Sequence, residues 1–160
     1  MINRRNRKTF RESDAAQSPG NADQRQFAAL PYLVSADGLR ILLIISRETR
    51  RWVIPKGWPI RGLAGYEVAE KEAVEEAGVE GLIARKPTGV FHYSKRLHFF
   101  SSVNCEVEVY PLRVDRQKLR WRERAQRQLV WVSPEEAAAR VQEEELAQLL
   151  QGFSPGPAQV

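Results

Sequence analysis

One stretch constrains this chain more than any other: residues 57–79, reading GWPIRGLAGYEVAEKEAVEEAGV. Its second half predicts a helix over 66–77, stopped by Gly78 in the left-handed conformation at which helices commonly end. Ala69, Ala73 and Ala77 recur every four residues, so a stripe of small side chains lets this helix pack close to a sheet. Beside the stripe stand Glu72, Glu75 and Glu76. At spacings of three and four they are expected to share one face, within an arc of roughly 100°. Like charges so placed repel by about 0.2–0.5 kcal/mol per pair. Glu75 and Glu76 also fall in the last turn, where the helix dipole is negative and disfavours acids. A segment that breaks two local rules at once points to a functional site.

The rest of the chain sharpens that contrast. It is basic, with 25 Lys and Arg against 20 Asp and Glu and a formal net charge of +5. Glu135 and Glu136 are equally dense, but they open a predicted helix, where the dipole accepts acids. Glu143, Glu144 and Glu145 open a second late helix in the same way. A hard divalent cation resolves the conflict at 72–76. Mg²⁺ takes oxygen ligands, a few carboxylates together with waters and substrate phosphates. The segment holds no histidine, which argues against zinc.

Length and composition bound the setting. With 160 residues, 42% of them hydrophobic, the chain suits one domain. Its longest apolar run, 41–45, is far too short to span a bilayer. The basic start is followed by no apolar stretch and does not read as a secretory signal. One cysteine, Cys105, forbids an internal disulfide and a multi-cysteine zinc site, so a cytoplasmic location is expected.

The pattern along the chain is α+β. Residues 1–24 read as a basic, disordered tail carrying Arg4, Arg5, Arg7, Lys8 and Arg11. Strands are predicted at 27–34, 40–46, 51–54, 89–93, 103–114 and 129–132. An Asp-Gly hairpin signal at Asp37-Gly38 joins the first two. Ser133-Pro134-Glu135-Glu136 opens a helix with a capping serine, proline in the first turn and a glutamate three after the cap. The folded domain is expected over 25–152, and 153–160 reads as a frayed tail.

At this point 57–79 resembles the Nudix box, the 23-residue loop–helix motif G-x5-E-x7-R-E-U-x-E-E-x-G-U of Nudix hydrolases, with U aliphatic. Gly57, Glu72, Glu75, Glu76, Gly78 and Val79 match in register, and Ala73 fits the small or aliphatic slot. Two positions depart: the family's first glutamate is Leu63 here and its arginine is Lys71. In the family those two side chains pair and brace the helix. Glu67, four residues before Lys71, is the expected replacement partner. The resemblance implies a Nudix-type α/β/α sandwich with a mixed central sheet. It implies that Glu72 and Glu76 hold Mg²⁺ or Mn²⁺, with the backbone carbonyl of Lys56, and that Glu75 is the general base, Glu72 being the alternative.

Beyond the box, the order of segments over roughly 25–150 is similar to the diphosphoinositol polyphosphate phosphohydrolase branch, which also cleaves dinucleoside polyphosphates. By that resemblance Arg25, Ser46, Arg47, Lys95, Arg96 and Arg127 lie near the substrate phosphates, and His92 and His98 flank the same turn. The implied function is metal-dependent hydrolysis of a phosphoanhydride in a small polyphosphorylated molecule, by a monomer or homodimer, with neither membrane nor nucleic acid as partner. Two rival readings stand beside it. One is a non-catalytic Nudix-fold module binding a phosphorylated ligand, suggested by Leu63 and Lys71. The other is RNA binding through the basic tail and Arg120-Trp121-Arg122-Glu123-Arg124, where aromatic and basic residues interleave. In that stretch, Trp121 reads more simply as a packing residue, and Glu123 as a further carboxylate near the metal.

Overall fold

Alternation of apolar residues in two long strands organises the molecule. The computed structural model describes residues 24–156; the basic arm expected over 1–24 lies outside them but for Gln24, which starts a strand. Strand β1 spans Gln24–Ser35, β2 Gly38–Ile45, β3 Trp52–Val53 and β4 Lys56–Gly57. Helix α1, Gly65–Glu72, continues into a π-helical turn over Ala73–Ala77. Strand β5, Val79–Ile83, follows directly. Then come β6, Gly89–His98, β7, Ser101–Gln117, and β8, Leu129–Val132. Helices α2, Pro134–Arg140, and α3, Glu144–Gln151, close the described chain.

These strands form one mixed sheet with a path β3-β2-β1-β7-β5; β4 adds to β1, β6 to β7 and β8 to β2. The centre is the parallel pairing of β1 with β7, from Gln24 opposite Cys105 to Tyr32 opposite Arg113. Both central strands outrun their partners, so each serves two on its other edge. β1 pairs with β4 at Phe27 and Ala28, then with β2 from Tyr32 onward. β7 pairs with β6 up to Val109 and with β5 from Leu112. The sheet therefore forks at both ends.

Period-two alternation sends successive residues to opposite faces. Ile41 and Leu43 pack with Ala28, Leu30, Val107 and Val109 against Ala137, Leu146 and Leu150 of α2 and α3. Leu42 and Ile44 pack with Ala29, Tyr110 and Leu112 against Ala69, Ala73 and Ala77. The result is the expected α/β/α sandwich, with the alanine stripe fully buried on the sheet. No described helix is long and apolar enough to cross a membrane.

Several expectations need correction. The ends of β6 and β7 reach further than predicted, because they continue as an exposed hairpin past Lys95 and Arg96. Strands β4 and β5 were not expected. β4 is a two-residue addition to β1, and β5 is an edge strand whose pairing with β7 is interrupted by an irregularity at Glu80 and Gly81. β4 is too short to show repeated alternation, and β5 does not alternate cleanly between buried and exposed residues. Phe153 belongs to the core rather than to a frayed tail: it is 8% exposed and sets its ring edge-on to Tyr32, centroids 5.1 Å apart. The capping serine behaves as expected, Ser133 Oγ accepting from the Glu136 amide at 3.2 Å.

Candidate active site

A cleft of about 970 Å³ opens where β4, the end of α1 and the tip of the β6–β7 hairpin converge. Its lining includes Glu72 and Glu76 from the helix and Lys56 and Gly57 from β4. Ser46, Arg47, Lys95, Arg96, His98 and Arg127 face it as well. The sheet fork makes this meeting possible, because β4 adds to β1 beside the helix and so faces the helix's acidic end.

Glycine lets the two sides touch. A Cβ on Gly57 would lie 2.4 Å from Glu72 Oε1, closer than any real contact, so β4 and the Glu72 carboxyl meet only because position 57 lacks a side chain. Gly57→Ala is expected to cost about 1 kcal/mol of stability, since the obstructed atoms end a flexible side chain. It is also expected to lower turnover at least about tenfold by pushing Glu72 out of place. Melting curves and kcat on the same preparation check both parts; an unchanged kcat would contradict this placement of Glu72.

The π-helical turn corrects the expectation that three glutamates share one face. An α-helix returns to the same side after 3.6 residues. The wider turn over Ala73–Ala77 needs more, which brings Glu72 and Glu76, four apart, into register on the cleft side and leaves Glu75 off it. Glu75 instead meets Lys71 Nζ at 3.2 Å and Arg122 at 3.6 Å, on a side shared with Leu63 and Glu67. Lys71 therefore pairs with Glu75 and not with Glu67. Glu67 accepts from the Ala64 amide at the helix start, at 3.2 Å.

The acids that do face the cleft are under electrostatic pressure. Glu76 is 9% exposed, and its pKa is pushed up to about 8, first by burial, with the Glu72 charge adding to it and Arg127 opposing. Glu72 is shifted upward too, by burial and then by Glu75, and its carboxyl lies within hydrogen-bonding reach of Glu76. Lys56 is shifted downward, chiefly by burial, against the pull of Glu76 and Glu143. A buried carboxyl facing a half-buried one calls for positive charge.

Arg127 supplies part of it. Its side chain is only 7% exposed. One guanidinium nitrogen donates to the Ile45 carbonyl at 2.9 Å; the other lies 3.4 Å from Glu76 and 3.5 Å from Glu123. Arg127 thus lines the cleft with one nitrogen turned to the two acids, while its buried Nε has no hydrogen-bond partner among the described residues. Arg47 completes the group, its Nε 3.0 Å from Glu123.

Sequence reasoning undervalued 117–123, the segment that finishes the helix. The last carbonyls of a helix have no intrahelical donors. Here Trp121 Nε1 donates to the Glu76 carbonyl at 3.2 Å. Gln117 donates to those of Ala77 and Gly78, and the Glu123 amide to that of Glu75. Gly78 has φ 64°, and a Cβ there would strike the Trp121 ring at 2.4 Å. Trp121 is the packing residue the sequence suggested, and its ring, covered also by Arg124 at 5.6 Å, is not offered to a nucleic-acid base. A tryptophan among arginines was the available signal, and it reads equally well as a binding patch.

The remaining expected residues divide. Arg25 does not join the cleft: strand alternation turns Gln26 inward, 2% exposed, and sends Arg25 outward to Glu108 at 3.9 Å. Ser46 bonds to Thr49 at the rim. Lys95 lies 5.6 Å from the Trp58 ring centroid and Lys56 5.0 Å from that of Tyr93. His98 faces the cleft, while His92 is paired with Glu145 at 3.2 Å.

Among the described residues no three His, Cys, Asp or Glu side chains converge as a ready-made metal cage. The donor set nevertheless fits a hard dication. Mg²⁺ is commonly held by one or two carboxylates, with waters and substrate phosphates completing the shell. Glu72 and Glu76 supply two carboxylates, and the cleft leaves room for the rest.

Comparison with known proteins places this arrangement among relatives. No family model matches the chain. It is 31% identical over 107 residues to Nudix hydrolase 13, mitochondrial, of Arabidopsis thaliana, covering 62% of this chain and 52% of that protein. To Nudix hydrolase 12, mitochondrial, of the same plant it is 28% identical over 118 residues, covering 72% and 58%. The chain thus spans little more than half the length of these curated relatives. The crystal structure of C. elegans Ap4A hydrolase superposes with a TM-score of 0.61 at 17% identity, covering 81% of this chain and 95% of that one, so the two share a fold.

Proposed function

We propose that the chain is a Nudix hydrolase, as its partial likeness to curated Nudix hydrolases and its shared fold support, and that it cleaves a phosphoanhydride bond in a small polyphosphorylated substrate. The observation that carries the reading is the pairing, in one cleft, of buried Glu76 and half-buried Glu72, facing each other, with a rim of cations. We further propose a diphosphoinositol polyphosphate or a dinucleoside polyphosphate as substrate and Mg²⁺ or Mn²⁺ as cofactor. The cytoplasm is the proposed location, and a monomer or homodimer the working form.

Glu72 and Glu76 would hold the dication, with the Lys56 carbonyl as a third ligand; when bound, it polarises phosphate oxygens and acidifies a coordinated water. The chain's own groups do the rest. Arg47, Lys95 and Arg96, with Ser46 beside them, bind and orient the phosphates and offset the charge that builds on the leaving group. Arg25 is left out because it faces away. Arg127 holds Glu76 and Glu123 in place rather than reaching out.

General base remains the role we assign to Glu75, with Glu72 as the alternative. A base must come within hydrogen-bonding reach of the water it deprotonates. Glu75 meets that condition only by leaving Lys71 and Arg122. If it does so, Glu75→Gln lowers kcat by about 10²-fold or more. If Glu75 is only a partner of Lys71, the loss stays under about threefold and the role passes to Glu72.

The reading as a whole is tested by a phosphate-release screen with Mg²⁺ and with Mn²⁺ over diphosphoinositol phosphates, diadenosine polyphosphates, nucleotide sugars and nucleoside triphosphates. Turnover of at least one class is the expected result. Ligand binding without release across the whole panel would favour a non-catalytic module.

A further inference from the structure

One acid in the cleft does not serve its phosphate-binding chemistry. Glu143 occupies the N-cap position of α3, where a short polar side chain ordinarily accepts from the first turn. Its side chain makes no capping bond. The contrast with Ser133, which caps α2 in the ordinary way, is direct. Glu143 instead lines the cleft, and its Oε2 is a buried oxygen with no hydrogen-bond partner among the described residues. Lys56 and Tyr93 are close enough to feel its charge, yet neither bonds to that atom. A buried acceptor left unpaired is costly, and such atoms in native proteins call for an explanation.

The charge makes the location more telling. Around Glu143 the cleft presents Arg47, Arg51, Lys56, Lys95 and Arg96. A phosphate placed against Glu143 would meet like charge in a partly desolvated setting, which discriminates strongly against it. An ionised carboxylate only accepts hydrogen bonds. What fits it is a donor, a hydroxyl or an amino group, on the part of the ligand that carries no phosphate.

We infer that Glu143 is a specificity-determining residue: its Oε2 receives a hydrogen-bond donor from the non-phosphate part of the substrate and rejects any substrate that presents a phosphate there. This deepens, and rests on, the proposed hydrolase reading. A sugar hydroxyl and a base amino group both satisfy the requirement; a ring with every hydroxyl esterified satisfies it nowhere. Dinucleoside polyphosphates therefore meet the requirement, and diphosphoinositol polyphosphates meet it only where a ring hydroxyl stays free.

Calorimetric titration of the full chain tests this whether or not a ligand is turned over. The probes are diadenosine tetraphosphate, which has free donors, and inositol hexakisphosphate, which has none. The wild-type chain is expected to prefer the first relative to Glu143→Gln. The Gln variant should bind diadenosine tetraphosphate about tenfold more weakly and the inositol phosphate several-fold more tightly. The same Kd ratio in both chains would overturn the inference. If the Gln variant melts abnormally, the wild-type chain is titrated with analogues lacking the ribose hydroxyls or the adenine amino group. A loss of about tenfold on removing one donor supports the assignment, and no loss for either overturns it. Failure of the wild-type chain to hydrolyse anything, with the Kd ratio shifted as stated, would sink the hydrolase reading and leave Glu143 as a binding determinant.

Discussion

Glu76→Gln is expected to lower metal-dependent turnover by on the order of 10³-fold, about 4 kcal/mol in the barrier, while leaving the fold intact or firmer. The two halves of that result have one cause. Glu76 is buried beside Glu72, and its carboxyl is pushed from 4.5 up to about 8. Below roughly pH 4.5 both the folded and the unfolded chain hold that proton, and the group costs nothing. Between 4.5 and 8 the unfolded chain releases it while the folded chain keeps it, so stability falls as pH rises. Above about 8 the full cost is present. Glutamine has no such titration. In chelator-treated samples, wild-type Tm should therefore drop relative to Glu76→Gln by several degrees from pH 5 to pH 8. Lys56, whose pKa is shifted down, acts in the opposite sense, but it is common to both chains and cancels in the difference. Adding Mg²⁺ should close the gap at pH 8 and do little at pH 5. Parallel melting curves at all pH values, or full turnover in the variant, would remove Glu76 from the site.

The second large effect is expected at Arg127. Its guanidinium is nearly enclosed and touches Glu76, Glu123 and the Ile45 carbonyl. Arg127→Met keeps much of the volume but leaves two buried acids without their counter-charge. Removing one partner of a buried pair in this way costs about 3 kcal/mol or more, a Tm loss of roughly 6–12 °C for a domain of this size. Raising the pH through about 8 and beyond should deepen that loss, because Glu76 then ionises with no counter-charge beside it. Turnover should fall as well, through misplacement of Glu76. A variant that melts within a degree or two of wild type at neutral pH would show that Arg127 is not the brace described here.

These expectations separate two roles that one sequence pattern does not distinguish. Arginines near an acidic cluster read alike as phosphate ligands. Arg47 and Arg96 border the open cleft, Arg127 is enclosed beneath it, and Arg25 is on the outer side of β1. The difference depends on strand parity and on which loop covers which helix end.

Short-range chemistry carried a great deal. The alanine stripe announced a helix pressed on a sheet, Gly78 its end, and Ser133-Pro134 the start of α2. The spacing of Gly57, Glu72, Glu75, Glu76 and Gly78 carried the resemblance to the Nudix box. Each of these is read along one continuous stretch of chain, and so the sequence states them directly. The partner of Lys71, the departure of Glu75 from the shared face and the freedom of Glu143 were settled only by the fold. They depend on 117–123 returning from the far end of β7 to take the helix's last carbonyls, and on β4 bringing Lys56 and Gly57 up to Glu72. A contact between residues fifteen or more positions apart is fixed by sheet register and packing, and no local propensity encodes it.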